Sequence, residues 1–536
     1  MPKFVQVPPD STGKRISHGV TMHLEYTGGT QDFSIGEVVT AQESGVFGEV
    51  GQVMSDSTTE SGTLHVILDT ESPDTFVIGE DLQVGGVTFA QVASFQRLYA
   101  QQVQLVGGNN TTNSLSVDDK GALFTRGAEG VHQYDAFGKL ETADRTTIGE
   151  YVFTHGTLDE DLDHQTEGNS SIEQHPNFSG IVLSTGSSAD DRATTTSHLY
   201  HKYQAAIAQT FMATVAIGDN GKTNVTRRWG YFDDQDGLFF ELDDDTLYVV
   251  VRSSTSGTVE EIRIPQHKWN TDRVNGEGGS FNLSRENLDR TKLTIYWIDF
   301  QWLGAGRVRF GTLINGQRIT CHATRFKNIG SSAPYMRSGT LPVRFHQHNK
   351  DVTASTSEMR VVCCAVSCEG DFSPRYRSFS PDFELPPVEI TSHQSQTMFS
   401  ARTKRNFKGE ENRGVILPKT ITAYVFGDSP VGFRLVKNGE LTDDTWTLDV
   451  GPNSITEVDA TATDITGGRA VWTTVTAPGQ VTEIDLTHIF SYERGETVKR
   501  HADIDQHDTF TLMGRLLREG DTNAEVSLAI NWVEIT

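Results

Sequence analysis

Short apolar runs that alternate with polar residues recur along the whole chain and constrain its fold more than any other feature. Examples are residues 247–252, 293–298 and 308–314, which are rich in β-branched and aromatic residues and bounded by Gly, Asn or Asp. A period of two places alternate side chains on opposite faces of a strand, so one face can be buried. We therefore predict an all-β fold, with several β-sandwich or jelly-roll-like domains in series and a small N-terminal β-barrel-like module.

Turn signals and helical periodicity support the same fold class. Asn315-Gly316 follows one apolar run and predicts a two-residue hairpin, because type I′ turns need positive φ at both central positions. Lys437-Asn438-Gly439 repeats this signal late in the chain. Helical periodicity is scarce, and the best case, residues 95–106 (FQRLYAQQVQLV), predicts one short amphipathic helix.

Composition divides the 536 residues into six segments. An imperfect internal repeat, in which FSIGEVV at Phe33 echoes FVIGEDL at Phe76, predicts a small β module. The predicted segments are an N-terminal arm (1–30), the small β module (31–95), a connecting region with the short helix and polar loops (96–197), a central β-sandwich (198–370), a linker (371–409) and a C-terminal β-sandwich (410–536).

The net charge of the chain limits the classes of partner that it can bind. Asp and Glu number 71 against 45 Lys and Arg, which gives a formal net charge of −26. A negative field repels phosphate backbones and anionic lipid, so we expect no nucleic-acid partner. No stretch approaches the roughly 20 apolar residues of a membrane-spanning helix, so we expect no membrane insertion. The first residues also lack the apolar core of a secretory signal.

The four cysteines, Cys321, Cys363, Cys364 and Cys368, are few and crowded, which favours folding in a reducing compartment. Their thiolates are ligands that zinc can use. In a strand, however, Cys363 and Cys364 point to opposite faces and cannot easily reach one ion. We therefore expect buried, unreactive thiols.

Acidic clusters flank the run 238–242 and contain the candidate calcium ligands Asp234, Asp236, Asp243 and Asp245. Carboxylates on loops suit a hard cation, but the first cluster has only the opening fragment of a calcium loop and no distal bidentate Glu. The alternative, which we favour, is an Asp-Gly hairpin turn with solvated acids. Residues 159–164 form another acidic stretch, predicted to be an exposed loop.

No catalytic motif is present. The chain lacks a Gly-x-Ser-x-Gly elbow, a phosphate-binding glycine loop and His-Glu-x-x-His. Glycoside hydrolysis needs two carboxylates on either side of a sugar, but a chain this rich in Asp and Glu forms such pairs by chance. His346 and His348 share one strand face and are predicted to be a satisfied surface pair rather than a pair of metal ligands. We predict neither catalytic residues nor a cofactor.

An aromatic stripe contains Tyr296, Trp297, Phe300 and Trp302. Alternate members of a strand face the core, so packing explains most of this stripe. Trp302 precedes the turn 303–307, where an aromatic ring can lie at a rim. It is the candidate residue for stacking on a sugar.

The central segment resembles a widespread module of tailed-bacteriophage virion structural proteins. The matching stretches are HLYHKYQ (198–204), RRWGYFDDQDGLFFEL (227–242), VVVRSSTSG (249–257), QHKWNTDRVNGEGGS (266–280), LDRTKLTIYWIDFQWLGAGRVRFG (288–311) and APYMRSGTLPVRF (333–345). The repeat at 33–50 also looks like small β modules of phage tail and appendage proteins. The family's Tyr-Gln-Pro-Gly step reads Tyr203-Gln204-Ala205-Ala206 here.

The resemblance implies a virion component, assembled in the host cytoplasm, and supplies no catalytic residues. The expected role is a tail, baseplate or neck appendage, fibre-like, that acts through assembly contacts and contact with the host surface. Expected partners are other copies of the chain, with a trimer favoured, other virion proteins and a host surface glycan. Two alternatives stay open: a capsid decoration protein, and a carbohydrate-binding or carbohydrate-degrading protein.

Overall fold

Strands dominate the molecule. The structure, a computed structural model, describes residues 21–34, 37–53, 59–68, 76–98, 103–106, 112–117, 123–124, 144–277, 281–282, 284–324, 332–381, 387–446, 448–493 and 496–536. Strand makes up 56% of the fold. Within these residues there is no α-helix, only 3₁₀ turns at Phe153–His155 and Gln266–Lys268, and nothing helical is long and apolar enough to cross a membrane. The all-β prediction is confirmed.

The chain forms two compact units, Met1–Val131 and His132–Thr536. In the first unit six strands close into a barrel in the order β1-β4-β3-β2-β5-β6. These strands are β1 (Thr21–Thr27), β2 (Val38–Ala41), β3 (Phe47–Val53), β4 (Ser61–Leu68), β5 (Asp81–Val84) and β6 (Val87–Leu98). A separate sheet contains β7 (Val103–Val106), β8 (Thr112–Val117) and β9 (Leu123–Phe124).

The internal repeat folds into the barrel. Phe33 and Phe76, the first residue of each copy, are both buried in its core, and the following strands β2 and β5 pair with each other. Residues 35–36 of the first copy lie outside the described residues.

The predicted helix at 95–106 is wrong. Residues 95–98 end strand β6, which pairs along its length with β1, and 103–106 form β7; residues 99–102 lie outside the described part. Phe95 packs on Phe76, with ring centroids 5.7 Å apart, so pairing across the barrel outweighs a weak helical pattern.

The second unit begins with a sandwich. Its eight-stranded sheet runs β12-β13-β24-β15-β20-β21-β22 with β10 also on β24, and its seven-stranded sheet runs β11-β14-β23-β16-β17-β18-β19. The strands are β10 (Arg145–Val152), β11 (Leu162–Glu167), β12 (Ser170–His175), β13 (Gly180–Thr185), β14 (Arg192–Ser197), β15 (Gln209–Ala216), β16 (Val225–Phe232), β17 (Gly237–Asp243), β18 (Thr246–Ser253), β19 (Glu260–Pro265), β20 (Thr294–Phe300), β21 (Val308–Ile314), β22 (Gln317–Thr324), β23 (Val343–Asn349) and β24 (Ser357–Glu369).

A second sandwich follows. Its two six-stranded sheets run β25-β38-β30-β35, with β26 on β38 and β36 on β30, and β32-β33-β27-β37-β31-β34. The strands are β25 (Arg377–Phe379), β26 (Val388–Ile390), β27 (Gln396–Thr403), β28 (Asn406–Phe407), β29 (Glu410–Glu411), β30 (Val415–Phe426), β31 (Val431–Thr442), β32 (Leu448–Asp449), β33 (Thr456–Asp459), β34 (Asp464–Thr476), β35 (Val481–Asp485), β36 (Val498–Lys499), β37 (Thr509–Leu516) and β38 (Ala524–Ile535), with β28 and β29 forming a hairpin of their own.

Three predicted boundaries differ from the structure. Residues 21–27 of the predicted arm form barrel strand β1, whereas residues 1–20 lie outside the described part. The predicted connecting region supplies β10 to β14 of the first sandwich, and the predicted linker supplies β25 to β27 of the second. Polar composition misled the prediction, because β11, β12 and β14 carry many Thr, Ser and Gln residues even though β14 is largely buried.

The two turn signals have different outcomes. Asn315 and Gly316, with φ of 51° and 74°, join β21 to β22 as predicted. Asn438 also has positive φ, 58°, but lies inside β31. Its side chain bonds the neighbouring strand, where its Oδ1 accepts the Thr509 N–H at 3.0 Å. The hairpin prediction at 437–439 is therefore wrong.

Candidate functional site

The outer face of the seven-stranded sheet carries Asp243, and the turns on either side of β17 carry the predicted residues Asp234, Asp236 and Asp245. On its inner face Trp229 stacks on Phe240 at 5.9 Å and meets Tyr296 of the opposite sheet at 5.0 Å. Because side chains alternate, the intervening Arg228 and Glu241 point outward, and they are direct partners in the register of β16 and β17. The core thus sets which residues the outer face presents.

Carboxylates and guanidinium groups alternate across this face. The Glu241 side chain is fully buried and accepts hydrogen bonds from Arg228 Nε at 2.6 Å and Arg263 Nε at 2.7 Å. Arg263 Nη2 also lies 2.7 Å from Asp243 Oδ2. One strand further, Glu261 Oε1 accepts from Arg252 Nε and Nη2 at 3.0 and 2.7 Å. We call this set, with its underlying aromatic rings, the arginine–carboxylate face.

Aromatic rings lie beneath the arginines. Phe232 and Phe239 are buried although they point away from the sandwich core, and with Val250 they form a small separate cluster. Guanidinium groups cover the rings: Arg252 at 5.6 Å over Phe232 and 5.1 Å over Phe239, Arg228 at 5.5 Å over Phe239, Arg344 at 5.6 Å over Phe232 and Arg263 at 4.3 Å over Tyr248. A sugar could stack on these rings only by displacing an arginine.

Two of the calcium candidates lie in the β16–β17 hairpin. Asp236 is buried, where its Oδ1 accepts the Arg337 N–H at 2.9 Å and its Oδ2 accepts the Ser254 hydroxyl at 3.0 Å. Asp234 is exposed and pairs with Arg344 Nη1 at 2.5 Å. The expectation of solvated acids in this turn holds for Asp234 and fails for Asp236.

Of the other two candidates, Asp243 is the last residue of β17 and Asp245 lies in the turn that follows. Asp243 accepts hydrogen bonds from Lys350 Nζ at 2.6 Å and the Thr226 hydroxyl at 2.8 Å. Burial raises the pKa of Asp243, but hydrogen bonds from Lys350 and Arg263 outweigh it and bring the pKa to about 2. Asp245 is exposed; its carboxylate accepts the Thr246 hydroxyl at 3.0 Å, and its backbone carbonyl accepts Arg290 Nη1 at 2.7 Å. Among the described residues, none of the four belongs to a convergent group of ligating side chains.

Trp302 is a half-buried packing residue at the edge of the core. Its Nε1 donates to the Met336 carbonyl at 3.0 Å, and its ring meets Tyr203 edge-on at 5.9 Å. Tyr296, Trp297 and Phe300 are fully buried, as the packing interpretation predicts.

The cysteines are free thiols. Cys363 and Cys364 lie on opposite faces of β24, with Cys364 buried and Cys363 half-buried. Burial raises the pKa of the Cys321 and Cys364 thiols and raises that of Cys368 to about 11, so these three are protonated at neutral pH. For these three, the prediction of buried, unreactive thiols is confirmed.

The structure shows two histidine environments, of which the sequence indicated only the first. In the predicted pair His346 has a hydrogen-bond partner, whereas the buried His348 Nε2 has none. His346 donates to or accepts from the Thr194 hydroxyl at 2.9 Å, and burial, together with Arg228 and Arg344, holds its pKa well below the usual range. Asp163, His198 and His501 converge between the two sandwiches. They are too far apart in the chain for any local motif to connect them, so only the tertiary fold reveals the group.

No protein-family model matches this chain, and neither does any curated protein. Solved structures resemble it over less than half its length. The Emp47p carbohydrate recognition domain matches at 10% identity and a TM-score of 0.26, covering 42% of this chain and 97% of its own. A beta-1,3-glucanase from Mycobacterium marinum matches at 10% identity and a TM-score of 0.26, covering 41% of this chain and 98% of its own. A legume lectin-like domain from Entamoeba histolytica matches at 9% identity and a TM-score of 0.25, covering 42% of this chain and 98% of its own. The similarity concerns the β-sandwich fold.

Proposed function

We propose that this protein is a structural component of a tailed-phage virion, a tail, baseplate or neck appendage that acts through assembly contacts and contact with the host surface. The observation that carries the proposal is the arginine–carboxylate face. Glu241, Asp243 and Glu261, its outward carboxylates, are all paired with arginine. The carboxylates hold Arg228 and Arg263 in place, and these partly exposed guanidinium groups present fixed charges to a partner surface. The resemblance of residues 195–370 to virion modules supports the same role.

The joint between the two sandwiches is also rigid enough for a virion appendage. One continuous hydrophobic core extends through both. Across the joint the Lys202 N–H donates to the Tyr492 hydroxyl at 2.6 Å, and the Arg413 guanidinium lies 4.1 Å from the Tyr200 ring centroid. A joint with a shared core and buried hydrogen bonds moves as one body, as an appendage under tension requires.

Asp243 does not suit the role of general acid in glycoside hydrolysis. A general acid needs a carboxyl group that stays protonated near neutral pH. Asp243, which neighbours Glu241 on β17, has a pKa of about 2 and is ionised. The carbohydrate-degrading alternative therefore lacks a proton donor in Asp243.

Labelling of purified particles tests the proposal. Particles of the phage that encodes the chain would be banded by density and labelled with gold-conjugated antibody fragments raised against residues 387–536. Label at the tail, baseplate or neck, with a trimer of the isolated protein by light scattering, is the expected result. Label over the capsid shell would make it a decoration protein. Absence from particles, with release of reducing ends from host glycan, would establish the enzyme alternative.

A further inference from the structure

A second polar site lies in the seam between the two sandwiches. It contains Asp163 on β11, His198 directly after β14, and His501 after β36, and one ligating atom from each lies within 4.8 Å of the others. Their side chains are only 11%, 4% and 12% exposed. We call these three residues the seam triad. It is separate from the arginine–carboxylate face and independent of the proposed virion role.

The hydrogen bonds of His198 require a positive charge, either a second proton or a bound cation, between its ring and Asp163. Its Nδ1 lies 3.1 Å from the Glu160 carbonyl oxygen, which can only accept, so Nδ1 carries the proton. In the neutral ring Nε2 then presents a lone pair, yet it faces Asp163 Oδ1 at 3.1 Å. Two lone pairs at this distance repel each other unless a cation or a second proton lies between them.

His501 repeats the pattern. Its Nε2 lies 3.2 Å from Asp508 Oδ1, so Nε2–H is the donor and Nδ1 presents the lone pair. That Nδ1 is buried and has no hydrogen-bond partner. A second proton on His198 would satisfy Asp163 and leave His501 Nδ1 unsatisfied, whereas a metal ion satisfies both.

The charges around the triad fit a cation. Asp508 already has Lys499 at 3.2 Å and Lys437 at 3.6 Å. Within the described residues, Asp163 has no lysine or arginine partner, only His198 and the Asp503 N–H at 3.1 Å. The Asp163 charge is thus the one in this seam that a bound cation would neutralise.

We propose that the seam triad binds a first-row divalent metal ion of the zinc type, with Asp163, His198 and His501 as ligands. Two imidazole nitrogens and one carboxylate oxygen are a ligand set that zinc uses, with water completing the shell. The Glu160 carbonyl and the Asp508 carboxylate hold the other nitrogen of each ring, as outer partners of metal-bound histidines do. Because the ligands come from both sandwiches, the ion cross-links the seam.

The two rings are parallel, 3° between planes, with centroids 3.8 Å apart. A metal–nitrogen bond lies close to the imidazole plane, and parallel planes do not meet. The rings therefore tilt out of the stack when the ion binds.

Metal titration of the tag-free full chain, stripped with a chelator, tests the proposal. Co²⁺ at one equivalent is expected to give a visible d–d band without sulfur charge transfer, and Zn²⁺ is expected to displace it and bind one per chain. His198→Asn, His501→Asn and Asp163→Asn are each expected to weaken Zn²⁺ binding by more than about 100-fold, beyond the loss of an outer-shell partner.

His164→Asn is the matched control. His164 lies beside Asp163 on β11 and bonds Thr195 and the Thr157 carbonyl, outside the triad. It should leave binding unchanged. Wild-type protein with no Co²⁺ band at one equivalent, a band with sulfur charge transfer, or Zn²⁺ binding that survives in folded triad variants would overturn the proposal. The first two of these outcomes are measured on the wild-type protein and do not depend on whether a variant folds.

Discussion

The arginine–carboxylate face and the seam triad are both polar and largely buried, but they differ in how their charges are balanced. On the face, Glu241 has an arginine on each carboxylate oxygen. In the seam, His198 Nε2 lies 3.1 Å from Asp163 Oδ1, and His501 Nδ1 has no hydrogen-bond partner. Burying a charge is costly unless it is paired, so the balanced face needs no further partner, whereas the seam keeps one buried nitrogen that a bound cation would satisfy.

A third histidine shows that the fold can satisfy a buried ring completely. His201 donates from Nδ1 to the Leu341 carbonyl at 3.3 Å, and its Nε2 lies 3.2 Å from the Tyr151 hydroxyl. Both nitrogens are satisfied in the neutral form. His348 Nε2 is also buried without a hydrogen-bond partner, so an unsatisfied nitrogen is not unique to His501. The seam differs because that nitrogen belongs to a group that converges with Asp163 and His198.

The largest effect is expected when the balance of the face is broken. Glu241→Gln removes a fully buried charge and leaves Arg228 and Arg263 without it, which should lower the free energy of unfolding by about 3 kcal/mol. Urea unfolding followed by tryptophan fluorescence measures this loss. Asp234→Asn, at an 82% exposed side chain, is the control and should change stability by no more than about 0.5 kcal/mol. Equal effects of the two variants would contradict the balanced-face interpretation.

Mild acid should destabilise the first sandwich through His201. Burial lowers its pKa to about 4, against about 6.5 in the unfolded chain. The unfolded state therefore binds the extra proton first, and stability falls as the pH drops below about 6.5. At pH 5 one such histidine costs about 2 kcal/mol. His201→Gln should flatten the pH dependence of unfolding between pH 7 and 5 by that amount; an unchanged slope would show that His201 does not titrate in this way.

Stronger acid should weaken the face through Asp243. Its folded pKa of about 2 lies below the unfolded value of about 3.9, so its contribution is present above pH 4 and is lost as the pH falls toward 2. Because the group is partly exposed, about 1 kcal/mol is expected after solvent screening. Acid titration in urea of the wild type and of Asp243→Asn measures this contribution of Asp243 to the free energy of unfolding. A difference between the two that stays constant from pH 5 to pH 2 would contradict it.

The smallest effect concerns Trp302. Trp302→Phe keeps an aromatic ring beside Tyr203 and removes the hydrogen bond to the Met336 carbonyl. Thermal unfolding should show a loss of roughly 0.5–1 kcal/mol, the value of one such bond. Trp302→Phe that unfolds like wild type but loses binding to a host glycan would restore the sugar-stacking prediction.

Much of the fold could be predicted because strand alternation is a local property. The all-β class, the small barrel and the turn at Asn315-Gly316 all follow from neighbouring residues. Segment boundaries were less accessible, because edge strands such as β11 and β12 carry polar residues on both faces and resemble loops. Asn438-Gly439 looked like a turn because this dipeptide favours positive φ, and Asn438 does have positive φ. It nevertheless lies in a strand, where its side chain accepts the N–H of Thr509, which is distant in the chain.

The sites were less predictable. Asp234, Asp236 and Asp243 stood out as a cluster in the sequence, but their partners Arg344, the Arg337 N–H and Lys350 lie about a hundred residues further along the chain. The seam triad could not be predicted for the same reason, because its ligands come from two sandwiches. Local composition gives the residue types, and only the tertiary fold shows which charges are already paired.

Anomalous diffraction from crystals grown with Zn²⁺ tests the central contrast most directly. The account predicts one strong peak per chain, within bonding distance of Asp163, His198 and His501, and no peak on the arginine–carboxylate face or at Asp234 and Asp243. A peak at the acidic loops, or a zinc-soaked seam in which the rings remain stacked without an ion, would contradict it.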